Sequence, residues 1–254
     1  MQKKLIVVVL IILLSACTST TKKLHNEDRA NASKNLGEAY LAQGDYSSAL
    51  RELLKAEQIS PKPDSFIQND LGLAYMGKGS LDLSIQHFKK AVEIKPDYAP
   101  AKNNLGTAYI ANQEWDKAIV VLKELSIDLL YATPHYPLSN IGLAYYNKKD
   151  YVSAEEYYKK ALQLHPDFLI AINGLGRTYI ALYKFKEAID TLKKGIEISP
   201  RYPMFHFEIG RAYKYIHQYN DAELELKQAI SLDEGGYIKE DAKKELEELK
   251  KLMK

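Results

Sequence analysis

Residues 101 to 125, AKNNLGTAYIANQEWDKAIVVLKEL, carry apolar side chains at three- and four-residue steps on either side of a short polar break. Two amphipathic helices joined by a turn account for that spacing. Gly106 is the misfit, because it falls inside the first helix, where glycine costs about 1 kcal/mol relative to alanine. The same misfit recurs at Gly37, Gly72, Gly142, Gly176 and Gly210, each within a pentapeptide such as LGEAY, LGLAY or IGRAY, at intervals of 34 to 36 residues. Tyrosine stands three residues after every one of these glycines, from Tyr40 to Tyr213. A large side chain follows at nine (Tyr46, Leu81, Trp115, Tyr151, Phe185, Tyr219), a small one at twelve (Ala49, Ser84, Ala118, Ala154, Ala188, Ala222) and a large one at sixteen (Leu53, Phe88, Leu122, Tyr158, Leu192, Leu226). Pro61, Pro96, Pro166 and Pro200 close four of the six units, because proline cannot continue a helix.

Antiparallel helices approach to about 8 to 10 Å only where small residues meet at their crossing. Gly106 and Ala118 are expected to provide that closeness, with Tyr109 and Leu122 filling the space on either side. The pattern resembles the tetratricopeptide repeat over residues 30–235. The resemblance implies an all-α fold, a right-handed superhelical solenoid of six helix pairs. One such pair cannot bury its own apolar face, so neighbours must stack and the ends need caps. Residues 236–254 supply a C-terminal capping helix, with Ile238, Ala242, Leu246, Leu249 and Met253 as its apolar stripe. The third unit departs from the rest. Leu125 replaces the usual alanine, Leu130 the usual proline, and the link SIDLLYATPHYPLSN leads into the fourth unit with His135 and Tyr136 between two prolines. That link reads as a longer turn with an aromatic packed beneath it, or as a lip on the binding surface.

The first seventeen residues have a different composition. Lys3 and Lys4 precede the apolar run Leu5 to Leu14 and then Ser15, Ala16 and Cys17, the plan of a secretory signal peptide. Ten apolar residues in a helix span about 15 Å, half of a roughly 30 Å hydrocarbon core. Leu14-Ser15-Ala16-Cys17 resembles the lipobox of bacterial lipoproteins, which implies removal of residues 1–16 and acylation of Cys17. Thr18 stands where an aspartate would resemble an inner-membrane retention signal, so the expected destination is the outer membrane, periplasm-facing. Residues 17–29 then read as the lipidated cysteine and a polar tether.

Without Lys3 and Lys4 the chain has 33 basic and 33 acidic side chains, interspersed, which disfavours nucleic acid as a partner. Cys17 is the only cysteine, so neither an intramolecular disulfide nor a cysteine metal site can form. The six histidines show no i, i+4 pair of the kind that binds zinc, no glycine-rich phosphate loop occurs, and no cofactor is expected. His206, Glu208 and His217 are the nearest approach to a reactive group.

In tetratricopeptide proteins the first helix of each pair lines the concave face. The resemblance marks positions three before, one after and four after each glycine as ligand-facing. The expected peptide-binding set is Asn69, Leu73, Met76, Asn103, Ile110, Leu143, Tyr146, Asn173, Arg177, Ile180 and Arg211, with asparagines for a bound backbone and apolar residues as its seat. Glu38 beside Lys34 departs from the carboxylate-holding version of the family. Leader, length, repeat count and the irregular link between the third and fourth units together resemble the pilotin lipoproteins of type IV pilus systems, which implies a protein or peptide client such as a secretin subunit and a membrane attachment through Cys17. The alternatives are an envelope scaffold for peptidoglycan hydrolases or synthases, and a hydrolytic enzyme built around His206.

Overall fold

The computed structural model describes residues 24–128 and 131–253. The leader, Cys17, the first part of the tether and Leu130 lie outside the described residues. The chain divides into two compact units, Met1–Asn112 and Gln113–Lys254. The first contains α1 (24–42), α2 (Tyr46–Ile59), α3 (Ser65–Gly77), α4 (Leu81–Ile94) and α5 (Ala99–Ala111). The second contains α6 (Trp115–Ser126), α7 (His135–Asn147), α8 (Tyr151–Leu164), α9 (Leu169–Ala181), α10 (Phe185–Ile198), α11 (Pro203–Tyr215), α12 (Tyr219–Leu232) and α13 (Lys239–Leu252). Among the described residues there is no strand. Residues 24–29, read from sequence as tether, already belong to α1.

Inside each unit, consecutive helices pack against one another. The glycines sit under the large residue sixteen positions on. A methyl group built on Gly37 would lie 2.6 Å from Leu53 Cγ, one on Gly72 2.5 Å from Phe88 Cε1, and one on Gly176 2.4 Å from Leu192 Cδ2. The small residue twelve positions on contributes through its backbone. The carbonyl oxygens of Ala49 and Ala222 come within 3.5 and 3.3 Å of the methyl positions on Gly37 and Gly210. The expected contact of small residue with small residue is therefore only half of the arrangement. Glycine makes room for a fully buried Leu or Phe, and the alanine lets the second backbone follow it down. In the second pair Ser84 also donates its hydroxyl to the Gly72 carbonyl at 2.8 Å.

The turn inside each pair repeats with equal regularity. Seven residues after each glycine the chain enters the left-handed region, at Gly44, Gly79, Gln113, Lys149, Tyr183 and His217, with φ between 60° and 74°. One residue later the N–H bonds back to the carbonyl of the repeat tyrosine, as in Asp45 to Tyr40 (3.0 Å), Asp150 to Tyr145 (3.0 Å) and Lys184 to Tyr179 (2.9 Å). This is a Schellman ending, which satisfies carbonyls that a helix terminus would leave bare. Asp45 and Asp150 then cap the second helix by accepting from Ser48 N and Ser153 N at 3.0 and 3.1 Å.

The repeat tyrosine has a second role, at the joint with the preceding pair. Lys89, Lys123, Lys159 and Lys193 each bring their amino group 5.6 to 5.8 Å from the ring centre of Tyr109, Tyr145, Tyr179 and Tyr213. Each lysine comes from the second helix of one pair and each ring from the first helix of the next, so one cation–π contact recurs at four successive joints, whereas the first joint has Leu54 in the lysine position.

At the irregular link, His135 and Tyr136 form the first turn of α7. Their rings pack on buried Phe168 with centroids 4.9 Å apart in both cases, and His165 closes the cluster at 4.7 Å from His135. Burial, and then the charge on His165, hold the His135 pKa below its ordinary value. Tyr136 nevertheless stays 42 % exposed, and link residues 129 and 130 lie outside the described residues. At the C-terminus Asp233 accepts from Ile238 N and Lys239 N, both at 2.8 Å, and starts α13 across the Gly235–Gly236 turn. Ile238, Ala242, Leu246 and Leu249 are buried as expected, whereas Met253 follows the helix end and stands exposed.

Candidate peptide-binding face

In the first unit, Leu73 and Met76 are half-buried on α3. With Leu41, Tyr46 and Gly77 they line an apolar recess of about 370 Å³. Ile110 on α5 is buried, and Asn103 is half-buried. Asn69 is buried as well, and its amide is engaged within the unit. Its Oδ1 accepts from Asn104 Nδ2 at 2.9 Å, tying α3 to α5, while its Nδ2 donates to Asp70 Oδ1 at 3.2 Å.

That neighbour points to a register outside the three marked by the resemblance. Two residues before the repeat glycines stand Asn35, Asp70, Asn104, Asn140, Gly174 and Glu208. Asp70 is 8 % exposed, and its Oδ2 is buried without a hydrogen-bond partner. Burial pushes the carboxyl up to about 7 against the pull of the Asn69 hydrogen bond, with the negative Glu38 of α1 adding to the rise. Tyr98, just before α5, is pushed up to about 12 by burial and then by Asp70 and Glu38.

In the second unit the same register carries Glu208, buried at 3 % exposure. Arg211 Nη1 donates to it at 2.9 Å and Arg177 Nε lies 3.5 Å away. Burial raises the Glu208 carboxyl above its ordinary value while the two guanidiniums pull it back. Arg177 also lies over the ring of Tyr146, 4.8 Å from its centre. The network runs on from Arg211 to Glu245 at 3.6 Å, and Lys214 bonds both Glu245 and Glu248 of α13. Arg177, Phe207, Glu208 and Arg211 form one wall of a cleft of about 430 Å³ whose other wall includes Tyr237 and Lys244. Asn173, one turn before Arg177, has a buried Oδ1 with no hydrogen-bond partner. Leu143 and Ile180 pack against the core of this unit, so their first task is to brace neighbouring repeats.

The residues singled out for chemistry do not converge. His206 Nδ1 bonds Glu225 Oε2 at 2.6 Å, Glu208 is held by its arginines, and His217 sits in an exposed left-handed turn against the Tyr219 hydroxyl at 2.7 Å. Among the described residues no group of three or more His, Cys, Asp or Glu side chains is placed to hold a metal, and no helix is long and apolar enough to cross a membrane.

Four family models match, all described as tetratricopeptide or TPR repeats, over residues 23–65, 72–113, 136–168 and 171–202. The chain belongs to the tetratricopeptide-repeat family. Its fold is an all-α repeat architecture used for protein interaction. No curated protein sequence matches this repeat chain. Among solved structures it is similar to PilF of Pseudomonas aeruginosa, with 20% identity and a TM-score of 0.71 over 89% of this chain and 98% of that one. It is also similar to PilW, a widely conserved type IV pilus biogenesis factor, with 21% identity and a TM-score of 0.75 over 87% and 97%. The Cut9–Hcn1 structure gives a TM-score of 0.73 at 19% identity, but only 43% of that chain is covered. At these identities the likeness is one of fold.

Proposed function

We propose that this tetratricopeptide chain is a lipid-anchored envelope protein that works by binding, as a pilotin that brings a secretin to the outer membrane and assists its multimerisation in type IV pilus biogenesis. The observation that carries the reading is the fold match with PilF and PilW, which takes in 89% and 87% of this chain and 98% and 97% of theirs. The lipobox-like Leu14-Ser15-Ala16-Cys17 supports attachment to the membrane. Lipid would fix the repeats at the bilayer, and the first-helix face would hold a client segment there at raised local concentration. No chemistry is asked of the protein, in keeping with His206, Glu208 and His217 being engaged in separate structural contacts.

Affinity capture from solubilised envelopes, combined with deletion of the gene, tests the reading. A secretin as the main co-purifying species and loss of heat-resistant secretin multimers in the deletion strain are expected. Cell-wall hydrolases or synthases captured without secretin would favour the envelope scaffold. Cys17→Ser should leave the protein folded but remove it from the outer-membrane fraction, and retention there would refute the anchor.

A further inference from the structure

The two units treat their buried carboxylates differently. Around Glu208 the charge is answered from within by Arg177, one residue after the glycine of the preceding first helix, and by Arg211, one residue after the glycine of its own. Around Asp70 those same two register positions hold Glu38 and Leu73. The first unit thus keeps the buried acid, replaces one arginine by a second acid and the other by an apolar side chain. Asp70 Oδ1 is taken by Asn69, while Oδ2 has no donor, and the neighbouring Glu38 carboxyl can answer Asp70 only by sharing a proton with it. Lys34, the cation facing this pair from α1, lies 3.5 Å from Glu38 and 5.6 Å from the centre of the Phe66 ring. Lys95 lies over the rings of Phe66 and Tyr98. An unpartnered oxygen on a side chain more than nine-tenths buried is costly to leave bare. Glu38 stays about half exposed beside it, so an incoming cation would meet the pair from the Glu38 side, in place of Lys34.

We infer that Asp70 and Glu38 form a subsite for the ammonium or guanidinium group of a lysine or arginine side chain on the bound protein segment. This rests on the reading of the first-helix face as a protein-binding surface and names the chemistry of one position in it. Leu73, one turn beyond Asp70 on α3, lines the apolar recess with Met76, Leu41 and Tyr46. The segment therefore carries an apolar side chain next to its basic one. A side-chain cation fits better than a metal ion, because only two carboxylates converge and the Asn69 oxygen is already occupied by Asn104. Binding requires both carboxylates to be charged, so a proton competes with the cation. The groups that face Asp70 are Glu38 and Lys34 from α1, Asn69 on its own helix, and Tyr98 beside α5.

The test uses a random dodecapeptide phage library panned against the full chain and against the Asp70→Asn/Glu38→Gln double variant, with helical content checked by circular dichroism. The wild type should select peptides with a lysine or arginine at a fixed distance from an apolar residue, and the double variant should keep the apolar preference without the basic one. For one selected peptide, replacing the basic residue by norleucine should weaken binding by about tenfold or more to the wild type at pH 8, by less at pH 6, and by under about twofold to the double variant. Equal selection of basic residues by both proteins would overturn the subsite and leave peptide binding intact. Failure of the wild type to enrich any peptide would overturn the binding reading beneath it.

Discussion

Gly176 sets two effects of opposite sign against each other. Alanine there should gain about 1 kcal/mol from helix propensity. Its methyl would sit 2.4 Å from Leu192 Cδ2 and 2.5 Å from Cγ, and Leu192 is fully buried, so the branch carbon itself would have to move. Overpacking of this kind costs about 1 to 3 kcal/mol. Packing wins, and Gly176→Ala should destabilise by about 1 kcal/mol, a fall in Tm of about 2 to 4 °C for a chain of this size. Gly142 is the internal control, since its methyl would meet the Tyr158 ring at 3.0 Å, a gap that a shift of a few tenths of an ångström relieves. Gly142→Ala should therefore be close to neutral. Thermal and urea melts followed at 222 nm measure both. In a Leu192→Ala background the added methyl enters space already vacated, and Gly176→Ala should become stabilising by about 1 kcal/mol. An equal effect of Gly176→Ala in both backgrounds would refute the account of why the repeat keeps its glycine.

Three further outcomes are expected. Lys149 is exposed at φ 63°, so Lys149→Gly should stabilise by about 0.5 to 1 kcal/mol in urea melts, because glycine enters the left-handed region without strain. Asp150→Ala should cost about 1 kcal/mol by removing the cap of α8. Its hydrogen bonds to Ser153 hold the Asp150 carboxyl below the ordinary range, so in the wild type this stabilisation is present above that range and lost as pH falls through the depressed value, which acid melts of the two proteins compare. Asp70 has the opposite sign. Unfolded it titrates near 4 and folded at about 7, so stability declines as pH rises between those values and is flat above. Asp70→Asn should abolish that slope and raise stability at pH 8 by about 1 to 3 kcal/mol, because the amide carries no charge to desolvate.

The six-fold recurrence of glycine and tyrosine was enough to specify helix pairs, because each position in the repeat answers to one packing requirement. Gly37, Gly72 and Gly176 lie where that requirement put them, and Ile238, Ala242, Leu246 and Leu249 face inward on α13 as their spacing implies. The left-handed turn was harder to see. Glycine marks it at Gly44 and Gly79, but Gln113, Lys149, Tyr183 and His217 take the same conformation under the constraint of the flanking helices, and no side-chain preference announces them. Half-polar first-helix positions were the least legible. Asn69 and Arg211 are polar residues on the expected face, yet Asn104 and Asp70 engage the first, and Glu208 and Glu245 the second. The register two residues before the glycine carried the missing signal, since an acid amid asparagines at Asp70 and again at Glu208 is unusual for a buried position.

The lysine–tyrosine joints have a sense of direction. Every lysine serves the ring of the unit that follows, so a duplicated stretch such as residues 142–175 would arrive with its ring ready for Lys159 and its own lysine ready for Tyr179. Lengthening by gene duplication would then require no fresh contact to evolve in the interior of the array. At the far end Lys227, in the matching position, bonds Glu223 of its own helix, and α13 closes the series by ion pairs to Lys214 instead. Growth of such a molecule by insertion reuses contacts already present.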